Sequence, residues 1–201
     1  MRNTLTVLLS ILSAVLLAAF GLSAPVSYVV QPEASTMTIS GTSTLHDWSC
    51  DVPGVTGRLQ VDTAATSAPM IIASTQVRVP VEQIECHKSR MNNNLREALE
   101  ANAYPTIYFM LKEANTATLP DSSGAWYTVD ANGELIIAGE RRSLDLPVKA
   151  QRLADGRVRF VGSTSFKMSD WGVEPPSVML GTIKTGDEVT IDFDVVVAPQ
   201  G

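Results

Sequence analysis

The sequence predicts a single all-β domain, and three observations lead to this prediction. Apolar residues recur at every second position, and the longest such run extends from Val189 to Val197. Turn residues such as Asp155 and Gly156 separate the alternating runs, and only one segment changes to a helical pattern. Because strands of this period have one apolar face, the sheet must bury that face against another sheet or against itself. Closure into a barrel would also remove unpaired edges.

The N-terminal residues 1–24 have the pattern of a secretory signal peptide. Arg2 precedes a mostly apolar stretch over residues 5–20, and small residues follow up to Ala24. A transmembrane anchor is the alternative, but the apolar run is marginal in length and no basic stop signal follows it. We expect cleavage near residue 24 to leave residues 25–201 as one periplasmic or secreted domain without a stable membrane span. The cleavage site stays open between positions 21, 23 and 24.

The charge of the chain argues against two classes of partner. The formal net charge is -6, and the charged residues are scattered without a basic stripe. Nucleic acid is therefore not an expected partner, and neither is an anionic membrane held by electrostatics alone. An exposed sheet edge leaves a homodimer possible, although the sequence shows no interface signal.

The first half of the mature chain predicts four strands. Two short ones cover residues 28–30 and 36–42, on either side of a turn at Pro32. A third covers residues 55–62, in which Leu59 and Val61 share a face with Gly57. After a polar stretch rich in Thr, Ala and Ser, a fourth strand covers residues 70–81.

One short helix is predicted to begin at Asn94. Asparagine can cap a helix, and Glu97 lies three residues later, as in a capping box. Leu95 and Leu99 would then lie on one face, and Pro105 would end the helix. A single helix of this length is better suited to plugging one end of a barrel than to forming a layer.

From Thr106 onward the pattern predicts strands again. Turns are expected at residues 121–124, 139–141, 155–156 and 185–187. Asn132 and Gly133 present two alternatives: the dipeptide is typical of a hairpin turn, whereas its apolar neighbours favour one strand interrupted by a glycine bulge. We favour the bulge.

The two cysteines, Cys50 and Cys86, are expected to form a disulfide. An even cysteine count in an exported chain favours this over two free thiols. Two buried, unpaired cysteines are the alternative. A zinc site built from Cys86, His87 and His46 lacks paired-ligand spacing and an evident fourth ligand, so we expect no metal.

A succession of short motifs extends over essentially the whole mature chain. The motifs are TLHDW at 44–48, a strand into Gly57 and Leu59, NLR at 94–96, YPTIYF at 104–109, GELIIAG at 133–139, RSLDLPV at 142–148, SDWGV at 169–173 and a closing strand through Phe193. No single motif is diagnostic, but their order resembles the YceI-like family.

This resemblance implies an antiparallel lipocalin-like barrel of about eight strands with one short helix. It further implies export to the periplasm and an interior that holds a long isoprenoid or other amphiphilic lipid, of quinone or polyprenyl type. The family has no fixed catalytic constellation to transfer. The cysteines and the His-Asp-Trp string are features of one branch of the family, and ligand identity does not transfer between branches.

Twelve residues are candidates for the lining of a ligand cavity because alternation points them inward. Nine of the twelve are aliphatic and three are phenylalanines, so they would suit a hydrocarbon tail and discriminate poorly between tails. The candidates are Val77, Val79, Ile107, Phe109, Leu135, Ile137, Leu144, Leu146, Val158, Phe160, Ile191 and Phe193.

Two functions remain at this point, and neither is enzymatic. The first is a periplasmic lipid-binding protein for storage or transfer, without a resident cofactor. The second is a barrel with a filled interior that binds another envelope protein. Catalysis is not expected, since His46 and Asp47 would point to opposite faces of a strand and no nucleophile elbow, phosphate loop or zinc-protease helix is present.

Overall fold

The computed structural model describes residues 25–62, 71–118, 126–178 and 181–200. Within them lie eleven strands and one α-helix, α1 (Ser89–Ala98), together with short 3-10 turns at Pro32–Ala34, Val81–Gln83 and Met168–Trp171. The strands are β1 (Val26–Val30), β2 (Thr36–Ser43), β3 (Trp48–Asp51), β4 (Thr56–Asp62), β5 (Ile71–Pro80), β6 (Thr106–Thr118), β7 (Trp126–Ile137), β8 (Glu140–Arg152), β9 (Val158–Lys167), β10 (Ser177–Val178) and β11 (Ile183–Pro199).

Eight of these strands close into an antiparallel barrel. The order is β1-β4-β5-β6-β7-β8-β9-β11, and β11 pairs with β1 again through Val30 and Val197. The earlier part of β11 pairs with β2, which carries β3 on its other side. The prediction of a closed barrel of about eight strands with one short helix is confirmed. Closure satisfies the backbone groups that an open sheet would leave unpaired.

The two ends of the barrel differ in what covers them. At one end, here called the helix end, lie α1, the loop 44–47 and the turn Met168–Trp171. The other end is packed by a buried apolar cluster, here called the packed end. Its buried members include Leu59, Val61 and Val129. Any opening into the interior is therefore to be sought at the helix end.

The helix differs from its prediction in where it begins. It starts at Ser89, with Lys88 in the N-cap position and no side-chain cap hydrogen bond. Asn94 lies inside the helix, so the predicted capping box is wrong. The face that carries Leu95 and Leu99 does pack onto the barrel interior, as the spacing predicted.

The Asn-Gly dipeptide does not form a hairpin turn. Strand β7 runs through Asn132 and Gly133 without a break, so the prediction of one strand is confirmed. The irregularity in register lies in the partner strand β6, between Leu111 and Glu113. The extra residue that produces a bulge is thus in the partner strand and not at the glycine.

Two sequence predictions lie outside the described residues: the signal peptide over residues 1–24 and the turn over residues 121–124. Within the described part of the chain, α1 is too short and too polar to cross a bilayer, and no other helix there qualifies.

Candidate ligand-binding cavity

The barrel encloses an apolar cavity of about 560 Å³. It extends from the helix end into the interior, where residues of the packed end such as Val129 and Val197 form its floor. Its wall is built almost entirely from aliphatic and aromatic side chains of the strands. A space of this size and polarity is in the range of cavities that enclose small apolar ligands.

The burial of the inward side chains shows that this interior is not filled by the protein itself. On β8, Leu144, Leu146 and Val148 point inward, because Val148 lies opposite the fully buried Val129. Yet all three are only half-buried, like Phe160 on β9, while Lys149 on the outer face is exposed. The accessible surface of the inward residues therefore faces the cavity, and this surface is available to an apolar ligand.

The structure brings eleven of the twelve predicted lining residues together around this cavity. Val158 is the exception: it is 2% exposed within the cluster of the packed end and does not border the cavity. The eleven that border it are Val77, Val79, Ile107, Phe109, Leu135, Ile137, Leu144, Leu146, Phe160, Ile191 and Phe193.

Two interior glycines shape the wall by letting phenylalanine rings lie directly on the backbone. A Cβ added at Gly133 would come within 2.5 Å of the Phe109 ring, and one at Gly162 within 2.5 Å of the Phe193 ring. Real Cβ atoms do not approach rings this closely, so the rings occupy space that only glycine leaves free. Aromatic residues that cover glycines in this way fix both strand register and ring position.

We expect Gly162→Ala to destabilise the barrel by about 1–3 kcal/mol, because the new methyl group would displace the Phe193 ring. Urea unfolding monitored by circular dichroism measures the change. Combining Gly162→Ala with Phe193→Leu should cost less than the sum of the two single substitutions, since leucine lacks the ring atom that collides. Strict additivity would contradict the proposed contact.

The mouth of the cavity lies at the helix end and has a different chemistry from the wall. Its polar border includes Ser43 and His46 on one side and Lys88, Arg90 and Asn94 on the other. Leu45 also borders the mouth and is 67% exposed. These residues were not among the predicted site residues. A partial signal was available, because Lys88 and Arg90 lie within the three residues before Met91, which borders the cavity.

Among the residues that the structure describes, the charged groups that border the cavity are all basic. Besides the mouth residues, only Arg58 appears in this part of the chain, and it occupies an outward, exposed position of β4. In the described ranges, no carboxylate borders the cavity or lies within ion-pair distance of Lys88 or Arg90. The arrangement can enclose an apolar chain and place a polar or anionic head at the mouth.

The ionisable groups with shifted pKa values lie outside the cavity. Hydrogen bonds from the Asn92 amide and the His87 backbone N–H lower the pKa of Glu85. Bonds from the Ser169 hydroxyl and backbone N–H lower the pKa of Asp187 in the same way. Neither carboxylate borders the apolar space. Their hydrogen bonds hold surface segments of the helix end in place.

The predicted disulfide is confirmed: Cys50 and Cys86 are joined, with sulfur atoms 2.04 Å apart. Both sulfurs are thus unavailable as thiolate ligands. His87 Nε2 lies 3.0 Å from an Asp51 carboxylate oxygen, and His46 Nδ1 contacts the Asp47 backbone carbonyl. The part of the chain that the structure describes contains no cluster of three or more potential metal ligands.

Comparison with known proteins identifies one family. The sequence model of the YceI-like domain matches residues 28–197. No curated protein matches the chain.

Several solved structures share the fold at low sequence identity. The crystal structure of BcnA from Burkholderia cenocepacia is 18% identical, with a TM-score of 0.65, over 84% of this chain and 99% of that one. A polyisoprenoid-binding domain from Saccharophagus degradans, implicated in plant cell wall breakdown, is 14% identical, with a TM-score of 0.66, over 87% and 99% of the two chains. The YceI protein of Campylobacter jejuni is 17% identical, with a TM-score of 0.53, over 72% and 81%.

Proposed function

This chain belongs to the YceI-like family, and from that premise we propose that it binds a long-chain isoprenoid or other amphiphilic lipid inside its barrel. The ligand class is a quinone or polyprenyl type, held for storage or transfer. The Saccharophagus degradans relative, which has the same fold, is named as a polyisoprenoid-binding domain. The protein acts as a binder and not as an enzyme.

The half-buried inward side chains are the observation that carries this proposal. An apolar side chain that points into a barrel without being covered leaves surface that water hydrates poorly. Burying each methylene-sized group of a ligand against such surface contributes about 0.8 kcal/mol, so a chain of several isoprene units can bind tightly without a hydrogen bond. A filled interior, which an interaction module would have, does not agree with these exposures.

The asymmetry of the cavity supports one orientation of the ligand. The floor near Val129 is apolar, whereas the basic groups Lys88 and Arg90 lie at the mouth together with His46. An amphiphile therefore enters tail first, and its head stays between His46 and the side chains of Lys88 and Arg90. This placement avoids the cost of burying a polar head without partners.

Export to the periplasm fits the same proposal. The signal-peptide pattern of residues 1–24 favours it, and the Cys50–Cys86 disulfide is of the kind that persists in oxidising compartments. In such a compartment the protein would carry a lipid between membranes through water, which the enclosed cavity permits.

Mass spectrometry of the organic extract tests the proposed function. The protein would be purified from periplasm without detergent, and the extract quantified against protein. A near one-to-one isoprenoid or quinone is the expected result and identifies the cargo. A bare chain in native mass spectrometry, with no lipid in the extract and no uptake of added quinone or polyprenol, would reject lipid binding and favour the alternative of a protein partner.

We expect Lys88→Ala combined with Arg90→Ala to weaken binding of an isoprenyl phosphate about tenfold, equivalent to ~1.4 kcal/mol, because two cations leave the mouth. Affinity for the corresponding neutral alcohol should change less than about twofold. Fluorescence competition titrations at low salt measure both. A matched control removes Lys149 and Arg152, which are exposed on β8 away from the mouth. Equal losses for phosphate and alcohol would contradict the orientation.

A further inference from the structure

Two separate segments border the cavity at the helix end, and they are called here the two sides of the mouth. One side is the loop 44–47, which contributes Leu45 and His46 and continues into β3. The other side is the N-terminal half of α1 with the residue before it, which contributes Lys88, Arg90 and Asn94. A ligand that enters or leaves at the helix end passes between these two sides, so their separation limits its passage.

Each side is also attached to the barrel independently of the other. The loop is fixed to β11 because the Thr44 backbone N–H donates to the Lys184 carbonyl at 2.9 Å. The later part of α1 and its C-cap pack on Ile137 and Trp171 through Ala98 and Leu99. These attachments position the outer edges of the mouth. They do not join one side to the other.

A compact seam joins the two sides. The Cys50–Cys86 disulfide connects β3 to the segment before α1, and both cysteines border the cavity while being 1% and 5% exposed. Next to it, Asp51 and Glu85 exchange two backbone hydrogen bonds of 2.8 and 2.9 Å. On the outer surface, His87 pairs with Asp51 at 3.0 Å.

Asn92 attaches the helix to this seam. Its side-chain oxygen accepts a hydrogen bond from the Cys86 backbone N–H at 2.7 Å, and its amide donates to Glu85 at 2.8 Å. Asn92 is 8% exposed, and the structure shows no other polar side chain so deeply buried within the described ranges. A buried amide that is hydrogen-bonded through both its oxygen and its nitrogen holds the segments it joins in a fixed position. Without it, the Cys86 N–H and the Glu85 carboxylate would lose these hydrogen bonds, and the free energy of unfolding would fall. The position of α1 is therefore coupled to that of β3.

We propose that the Cys50–Cys86 disulfide and Asn92 together act as a positioning device that sets the width of the mouth and thereby the rate of lipid exchange. This inference rests on the proposed function of lipid binding. Asn92 does not border the cavity, and the two cysteines form only a small part of a wall that the strand side chains otherwise supply, so most of the binding energy of the tail arises elsewhere. Weakening it should therefore raise the uptake and release rates together and leave the equilibrium affinity nearly unchanged.

The test follows exchange of a geranylgeranyl chain that carries a fluorophore at its head. Stopped-flow mixing with protein gives the uptake rate, and mixing of the complex with phosphatidylcholine vesicles gives the release rate. In Asn92→Leu, we expect both rates to rise about tenfold and Kd to change less than about threefold. In the double variant Cys50→Ser with Cys86→Ser, both rates should rise further, by about a hundredfold.

A control separates a wider mouth from general destabilisation. Val158→Ala creates a small cavity at the packed end, remote from the mouth and outside the ligand space. It should lower thermal stability without changing either rate. If the double cysteine variant does not fold, the exchange rates of Asn92→Leu alone test the proposal, since this variant keeps the disulfide.

The outcomes distinguish this inference from the proposed function. Failure of the wild-type protein to bind the probe, or any other isoprenoid, would reject lipid binding itself. Binding with wild-type exchange rates in the folded variants would overturn the positioning device. Faster release at an unchanged uptake rate, with correspondingly weaker binding, would also overturn it, because the seam would then shape the bound site and not the mouth.

Discussion

Leu146→Trp is expected to lower the affinity for an isoprenoid chain by about tenfold to a hundredfold, or ~1.4–2.7 kcal/mol, while the barrel stays folded. Leu146 lies on β8 opposite Ala131, points inward and is only half-buried. A larger side chain at this position extends into the cavity and not into packed neighbours, so it competes with the tail for the same space. The larger side chain should therefore lower the free energy of unfolding less here than it would at a fully buried position.

Titration with a fluorescent isoprenoid measures this loss, and thermal unfolding verifies the fold. Lys149→Trp is the matched control, since Lys149 lies on the same strand but faces outward and is exposed. It adds an indole to the protein without narrowing the cavity and should bind normally. Normal binding by Leu146→Trp as well would place the ligand elsewhere on the protein.

The fold was largely predictable because its main signal is local. A strand with one apolar face has a period of two, and this period alone separates Leu144 and Leu146 from Asp145 between them. The beginning of α1 was not predictable by the same means. Met91, Leu95 and Leu99 do have helical spacing, but the capping pattern at Asn94 placed the start of the helix too late. The bonds that Asn92 makes to Glu85 and Cys86, seven and six residues earlier, are tertiary contacts that the apolar spacing does not show.

For the candidate site, the sequence predicted which residues point inward but not where along the barrel they lie. Alternation shows which face of a strand a residue occupies, but not how far along the barrel axis it lies. Val158 and Phe160 have the same pattern, yet Val158 lies in the packed end whereas Phe160 borders the cavity. The mouth depends on loops and on the seam between distant segments. His46 therefore carried no readable signal and Lys88 only the partial one of its place shortly before Met91, although the two cysteines indicated that their segments meet.

Trp171→Ala is expected to lower the free energy of unfolding by about 3–5 kcal/mol, because this side chain closes the wall at the helix end. Trp171 is 4% exposed, and its ring lies 4.6 Å from that of Phe166. Its indole N–H donates to the Leu135 backbone carbonyl at 2.9 Å, which joins the 3-10 turn to β7. Truncation removes the contact with Phe166 and leaves the Leu135 carbonyl without this donor. The surrounding strands are held by their backbone hydrogen bonds, so they cannot move in to fill the space.

Calorimetry should show a decrease in Tm on the order of 10 °C for this variant. Trp171→Phe keeps most of the apolar contact and loses only the donor, so its cost should fall to about 1–2 kcal/mol. Leu45→Ala, at an exposed position of the same end, should stay within about 0.5 kcal/mol of the wild type. If Trp171→Ala were no more costly than Leu45→Ala, the contacts with Phe166 and Leu135 would not stabilise the barrel. The helix end would then depend on the seam and on α1 alone.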